Sequence, residues 1–236
     1  MERLDFPSVG RPYLVANFVE TVDGKVQGPG AGYWPIGSEA DFELLLDVRA
    51  QCDALVHGRQ TALAFDHVQR LASEPFARRL KEAGRTDHYT YVVLSAHPDE
   101  ALLSHIDPAS APLRVVLVTT EAAKLPSAPA GVEIWRCGDG PEIDLAAFRV
   151  RAGKENLGRL TLEAGPRLFG AFVQARLVDE LLVTIAPKLF GTAFGTPTMI
   201  NGVLFEPDTV PALELVSVRG ANNEIFARYR FKEVAK

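Results

Sequence analysis

Several things are scarce in this sequence, and each scarcity excludes a class. Two cysteines, Cys52 and Cys137, in 236 residues are too few for a disulfide framework and too far apart for a zinc knuckle. They read as buried thiols of a reducing compartment. No apolar run reaches the roughly 18 residues that a membrane span needs. The longest candidate, Leu177 to Phe190, is cut by Asp179, Glu180 and Lys188. Positive charge is not in excess: 25 Lys and Arg against 30 Asp and Glu leave a net charge of −5, which is no footprint for nucleic acid. The start, Met1-Glu2-Arg3-Leu4-Asp5, lacks the basic-then-apolar pattern of a secretory leader, so a cytoplasmic location is expected. There is no G-x-x-x-x-G-K-S/T phosphate loop and no G-x-S-x-G elbow. Gly28-Pro29-Gly30-Ala31-Gly32 does not match the G-x-G-x-x-G fingerprint. His57, His67, His88, His97 and His105 lack metal-ligand spacing, so no metal site is expected and each reads as an isolated core or surface histidine.

What is present is ordinary for a soluble globular protein: 47% hydrophobic and 23% charged residues. With no repeat and no polar linker, a single domain over residues 1–236 is expected. Short buried strands are predicted at 12–19, 53–57, 89–94, 113–119, 132–135, 158–163 and 181–186. Helices are predicted over 38–50, from about 61, from 73 to Gly84, over 98–105 and over 166–176. In the first, Ser38 caps, Asp41 completes a capping box, and Phe42, Leu45, Leu46 and Arg49 recur at helical spacing. Two β-rich runs, 212–218 and 224–231, flank Gly220-Ala221-Asn222-Asn223, a hairpin signal. Alternating strands and helices with an antiparallel end predict an α/β fold. Its central sheet is mostly parallel, with helices on both faces and a C-terminal hairpin.

In such sheets ligands bind beyond the carboxyl ends of strands. Two strand-to-helix junctions there suit anions. Gly58-Arg59-Gln60-Thr61 follows the strand at 53–57 and opens a helix, with Arg59 a fixed cation and Thr61 a hydroxyl donor. Glu163-Ala164-Gly165-Pro166-Arg167 follows the strand at 158–163, with proline at the helix start. Either junction also reads as a plain glycine turn. Asp23, in the turn Val22-Asp23-Gly24-Lys25, is either an Asx-turn residue or a carboxylate for a ligand donor. Asn17, within an apolar strand, is satisfied either by the fold or by a heterocycle. Trp34 either covers the edge of the core or lies against a flat ring.

These residues also fall in the order of a known family. Arg11-Pro12-Tyr13, Asn17 and Thr21-Val22-Asp23-Gly24-Lys25 resemble the opening of the reductase domain of bifunctional riboflavin biosynthesis proteins. Trp34-Pro35-Ile36-Gly37, Val48 to Val56 and the Gly58…Thr61 turn resemble its next motifs, the last being equally similar to a turn of dihydrofolate reductase. Glu163-Ala164-Gly165-Pro166, Leu177-Val178-Asp179-Glu180-Leu181 and Ala186-Pro187-Lys188-Leu189-Phe190-Gly191 resemble the remainder. The resemblance runs from Arg11 to Lys232 without a preceding deaminase domain, so it points to a stand-alone form.

It implies a dihydrofolate-reductase-like three-layer fold, a homodimer, and NADPH as cofactor. The substrate it implies is a pyrimidine ribosyl phosphate, whose ribosyl group is reduced to ribityl. Carried over residue by residue, Gly58, Arg59 and Thr61 would hold the cofactor, Arg59 by its 2′-phosphate. Gly165, Pro166, Arg167, Leu168 and Phe169 would cradle its pyrophosphate, and Trp34 would border the nicotinamide. Arg49 and Glu163 would face substrate, and Asp23 would bind it or help polarise C1′. Asn17 stands where archaeal and fungal reductases carry Asn and two-domain bacterial forms carry Lys, which implies an aminopyrimidine that has not been deaminated. The sequence departs from the family pattern at Ala164, at Tyr33, and after Thr61, where Asp66 is the only acid left of an Asp-Asp-Pro…Arg stretch that holds substrate phosphate. These departures keep open two alternatives: a related NADPH-dependent reductase of another heterocyclic or carbonyl substrate, and a protein that binds nucleotide without turning it over.

Overall fold

Strands covered on both faces need unbroken apolar side chains, and the runs predicted from that rule are the strands found. The structure, a computed structural model, describes residues 3–7, 9–28, 35–85, 89–109, 111–191 and 196–232. In chain order its elements are β1 (Tyr13–Thr21), α1 (Glu39–Gln51), β2 (Ala54–Gly58), α2 (Arg59–Ala64), α3 (His67–Leu71), α4 (Glu74–Glu82), β3 (Thr90–Leu94), α5 (Glu100–His105), β4 (Arg114–Thr119), β5 (Val132–Arg136), α6 (Leu145–Lys154), β6 (Arg159–Leu162), α7 (Pro166–Gln174), β7 (Glu180–Ala186), β8 (Leu213–Ala221) and β9 (Glu224–Phe231). The fold is α/β, mostly parallel, with an antiparallel C-terminal hairpin, as expected. The chain forms two compact units, each drawn from two stretches of sequence.

The first unit comprises residues 1–13 and 46–163. Its strands lie in the order β5-β4-β3-β2-β6, and every neighbouring pair is parallel. Leu55, Tyr91, Val93, Val115 and Leu117 from the strands pack with Val68, Leu71, Phe76, Leu80, Leu102 and Leu103 from the helices. Caps set the helix starts. Ser73 accepts the Phe76 N–H, with Pro75 in the first turn, and Asp99 accepts the Leu102 N–H. The helix predicted from about Thr61 is two short ones, because Phe65 is extended (φ −149°) and interrupts it. Helix α6 has no counterpart among the predicted elements. Asp144 caps it through the Ala147 N–H, and Phe148 and Ala152 are its buried face.

The second unit comprises residues 14–45 and 164–236. Its strands run β1-β7-β9-β8, the first pair parallel and the others antiparallel. Asn222 and Asn223 close the hairpin at φ 53° and 63°, the left-handed angles that a two-residue type I′ turn requires. The start of α1 differs from expectation. Ser38 Oγ accepts the Ala40 N–H, but Glu224, not Asp41, answers it: its carboxylate accepts the Ser38 N–H at 2.8 Å and the Ser38 hydroxyl at 2.5 Å. The long-range acid wins because Glu224 is buried at the start of β9 and needs donors. The apolar face of α1 is also rotated from the expected one: Leu44 and Val48 are buried, while Phe42 is exposed.

The motif Leu177-Val178-Asp179-Glu180-Leu181 proves architectural. Asp179 accepts the Leu14 N–H at 2.8 Å and so docks β1 on β7. Glu180, fully buried, accepts from Arg228 Nε at 2.7 Å and from Arg230 Nη2 at 2.9 Å on the neighbouring strand β9. Removing one partner of a buried ion pair strands the other charge. Glu180→Ala is therefore expected to lower unfolding free energy in urea by about 3–5 kcal/mol; a loss below about 1 kcal/mol would mean the pair is no structural anchor.

Candidate functional site

The carboxyl ends of β2 and β6 are neighbours in the first unit. Val56 is in register with Leu162, and the Glu163 N–H donates to the Val56 carbonyl, so Glu163 leaves β6 beside His57. Arg49, in the last turn of α1, reaches the same point. Its Nε donates to Glu163 Oε1 at 2.7 Å and its Nη2 to Oε2 at 2.5 Å, a bidentate fork with both side chains nearly buried. The two residues expected to face substrate are thus brought together. Burial alone would push the Glu163 carboxyl up. The Arg49 charge and hydrogen bonds, with His57 adding to them, outweigh burial and hold it well below the usual carboxylate range. Glu163 is an anion at any physiological pH, and Arg49 a cation.

His57 extends the cluster. Its Nε2 is 3.5 Å from Glu163 Oε2, and its Nδ1 is 3.2 Å from the Tyr91 hydroxyl. Burial lowers its pKa, so the ring is neutral. Beside an ionised Glu163, the fitting tautomer donates from Nε2 and accepts at Nδ1 from Tyr91. The histidine reading is incomplete here: His57 and His67 are not isolated but meet edge to face, with ring centroids 4.2 Å apart. The signal that could have found this is position. His57 directly precedes the Gly58 turn, and Glu163 follows a neighbouring strand.

Each remaining expected residue has a definite place. Gly58 caps α2 and Gly165 caps α7, and neither helix has a side-chain cap bond. Both glycines have extended angles that any residue adopts (φ −88° and −64°), so they are not there for a special backbone angle. A Cβ on Gly165 would meet nothing within 4 Å among the described residues, so there is free space beside the N-cap of α7. Pro166 starts that helix, Arg167 is exposed and Leu168 half-buried. Phe169 is a core residue: its ring lies 4.6 Å from that of Phe18, and its N–H donates to the Gly165 carbonyl. Thr61 is half-buried on α2. Arg59 has a partner the sequence did not reveal, an ion pair with Asp99.

Asp23 sits in the turn after β1, where Gly24 has φ +73°. Its carboxylate accepts from the Thr21 hydroxyl (2.5 Å), the Phe190 N–H (3.2 Å) and the Gly191 N–H (2.8 Å). The Thr21 hydroxyl, with those backbone donors, lowers its pKa. Asp23 therefore pins the Ala186…Gly191 segment and is not a proton donor near neutral pH. Asn17, buried on β1, has an Oδ1 with no hydrogen-bond partner among the described residues. Trp34, Tyr33 and residues 29–32 of the glycine-rich loop lie outside the described residues. Among the described residues no cluster of His, Cys, Asp or Glu could hold a metal ion.

His67 is the weak point of the cluster. Both ring nitrogens are buried without a hydrogen-bond partner among the described residues, and burial drives its pKa down to about 2. Unfolded, it titrates near pH 6.5. Its folded pKa is depressed, so the stability it allows is fully present above about pH 6.5. Below that it is lost by up to about 1.4 kcal/mol per pH unit. His67→Phe should flatten the fall in unfolding free energy between about pH 6.5 and 4. It should also add about 1 kcal/mol near neutrality by removing two unsatisfied nitrogens. An unchanged pH slope in urea titrations would show that His67 is not buried neutral.

Comparison with known proteins places this arrangement. The family model described as RibD C-terminal domain matches residues 12–227. The 2,5-diamino-6-ribosylamino-4(3H)-pyrimidinone 5′-phosphate reductase of Archaeoglobus fulgidus is 25% identical over 83% of this chain and 89% of its own length. The enzyme of that name from Methanothermobacter thermautotrophicus is 29% identical over 77% and 80%. Among solved structures, a pyrimidine reductase-like protein of Corynebacterium diphtheriae superposes with TM-score 0.74 at 20% identity, covering 94% of this chain and 93% of that one. The matched span holds every expected site residue, Asn17 to Phe169, and nearly all of both units: the chain belongs to the RibD C-terminal domain family, the reductase family of riboflavin biosynthesis.

Proposed function

We propose that the chain is an NADPH-dependent reductase that converts the ribosyl group of a 2,5-diamino-pyrimidinone ribosyl phosphate to ribityl, before the pyrimidine is deaminated. The observation that carries the choice of substrate is Asn17. Its buried Oδ1 lacks a donor, and an exocyclic amino group supplies one, whereas a deaminated pyrimidine offers a carbonyl there. The names of the archaeal relatives support the same choice.

A bound nicotinamide cofactor would supply the hydride, which goes to C1′ of the ring-opened ribosylamine. The residues present fit such a group. Helix α7 lacks a side-chain cap, and a Cβ on Gly165 at its start would meet nothing within 4 Å, so the Arg167 and Leu168 N–H groups are a ready seat for a pyrophosphate oxygen. In this reading Gly165, Pro166, Arg167 and Leu168 line that seat, and Phe169 supports it from the core. Gly58, Arg59 and Thr61 are further cofactor-binding residues in this reading, and Trp34 borders the nicotinamide. Glu163, permanently ionised, orients substrate rather than protonating it. Oε1 keeps one lone pair beyond the Arg49 bond, enough to accept one sugar or amine donor. Arg49 keeps that carboxylate charged. Asp23, also ionised, acts by orientation through Oδ2. The reading includes a homodimer, and the exposed Leu215 and Val218 on the end strand β8 are apolar surface that a second copy would cover. The reading includes a cytoplasmic location, and no described helix is long and apolar enough to cross a membrane.

The test is oxidation of NADPH by the purified protein, followed by loss of nicotinamide absorbance, with the diamino and the deaminated pyrimidine in turn. The diamino compound should be the better substrate. Asn17→Ala should lower its kcat/KM by about tenfold, the scale of one hydrogen bond, and leave the deaminated compound little changed. Turnover of neither pyrimidine would end the assignment, and equal losses on both would remove Asn17 from the choice.

A further inference from the structure

Strands β2, β3 and β4 are adjacent and parallel, so the segments that follow them gather at one edge of the first unit. Arg59 follows β2. Pro98, Asp99 and Glu100 follow β3, and Lys124, Leu125 and Pro126 follow β4. These last six residues, with Ala101, line a shallow, open cleft, at the edge where open α/β sheets take their ligands. Asp99 joins the cleft to the β2 junction. Its Oδ1 accepts the Leu102 N–H at 2.9 Å, which fixes the carboxylate at the start of α5. Its Oδ2 accepts from Arg59 Nη2. The pair is part exposed, 37% for Arg59 and 50% for Asp99, so an incoming ligand can reach both.

We infer that Asp99, by competing for Arg59, sets the choice between the 2′-phosphate and 2′-hydroxyl forms of the nicotinamide cofactor. The inference rests on the cofactor use proposed above. A 2′-phosphate is close to dianionic near neutral pH. At Arg59 it meets a guanidinium already neutralised by Asp99, and it meets the negative charges of Asp99 and Glu100 in the same cleft. Arg59 has further N–H donors to offer, and Lys124 adds a cation, so the phosphate is weakened rather than refused. A 2′-hydroxyl pays none of this charge cost, because it donates to the Asp99 carboxylate. The cap bond to Leu102 keeps that carboxylate from swinging away. The 2′-phosphate form stays ahead through Arg59 and Lys124, and Asp99 is the residue that narrows its lead over the 2′-hydroxyl form.

Fluorescence titration of the full chain with NADPH and with NADH tests this. The wild type should bind NADPH the more tightly, but by no more than about tenfold. Asp99→Asn keeps a good helix cap but removes the charge and releases Arg59. It should raise the preference for NADPH by roughly tenfold, the scale of one charge-assisted contact. Asp99→Ser, also a good cap, should do the same, and matched melting curves check that each variant is folded. Adding Arg59→Ala to Asp99→Asn should abolish the gain. A preference that stays within about twofold of wild type in both single variants, or a gain that survives the loss of Arg59, overturns the inference while leaving cofactor use intact. Binding of neither nucleotide by the wild type overturns the cofactor assignment and this inference together.

Discussion

The fork between Arg49 and Glu163 is the constraint on which the rest of the first unit depends. Taking two charges out of water costs several kcal/mol each, and only close, doubly bonded geometry offsets it. The fold supplies that geometry from two directions: the last turn of α1 delivers the guanidinium, and the carboxyl end of β6 delivers the carboxylate. Neutral His57 and the Tyr91 hydroxyl complete the surroundings. A carboxylate held this way stays ionised and stays in place. Both properties suit orientation of a polar substrate, and neither suits proton donation.

Architecture and chemistry are divided unevenly among the sequence motifs. Asp179 and Glu180 look like site residues by type, yet each is consumed by a neighbouring strand. Asp23 is largely consumed as well, by three donors. Asn17 is the opposite case, a buried acceptor that the described fold leaves unfilled. Buried polar groups are nearly always paired, so an unfilled acceptor at a position that the family resemblance ties to substrate points to a ligand. The same logic makes the Arg59–Asp99 pair informative: a cation beside a cleft is worth less to an anion when a carboxylate already holds it.

Much of this was legible in the chain. Unbroken apolar runs located the parallel strands because strands buried on both faces tolerate little else. Asn222-Asn223 located the hairpin because few residues accept left-handed angles in succession. Ser73-Glu74-Pro75 located α4. Helix α6 was not legible, since Asp144, its only strong start signal, follows a stretch rich in proline and glycine. Partners distant in sequence were not legible either. Glu224 answers Ser38 across 186 positions, and Asp99 answers Arg59 across 40. Phe42 misled because helical spacing alone does not say which of two apolar stripes faces inward. Glu163 and Arg49 were legible as residues near substrate through the family resemblance. That they hold each other, with His57 alongside, required the register of β2 and β6.

The charge state and exposure of Glu163 test the account most directly. In protein labelled with carboxyl-¹³C glutamate, with the Glu163 signal assigned by its loss in Glu163→Gln, the resonance should stay that of a carboxylate from about pH 7 down to about pH 3. It should also move when the diamino-pyrimidine ribosyl phosphate is added. A Glu163 that protonates near the ordinary glutamate value of about 4.3, or that does not respond to the pyrimidine, would contradict the claim that Arg49 fixes an ionised carboxylate for substrate.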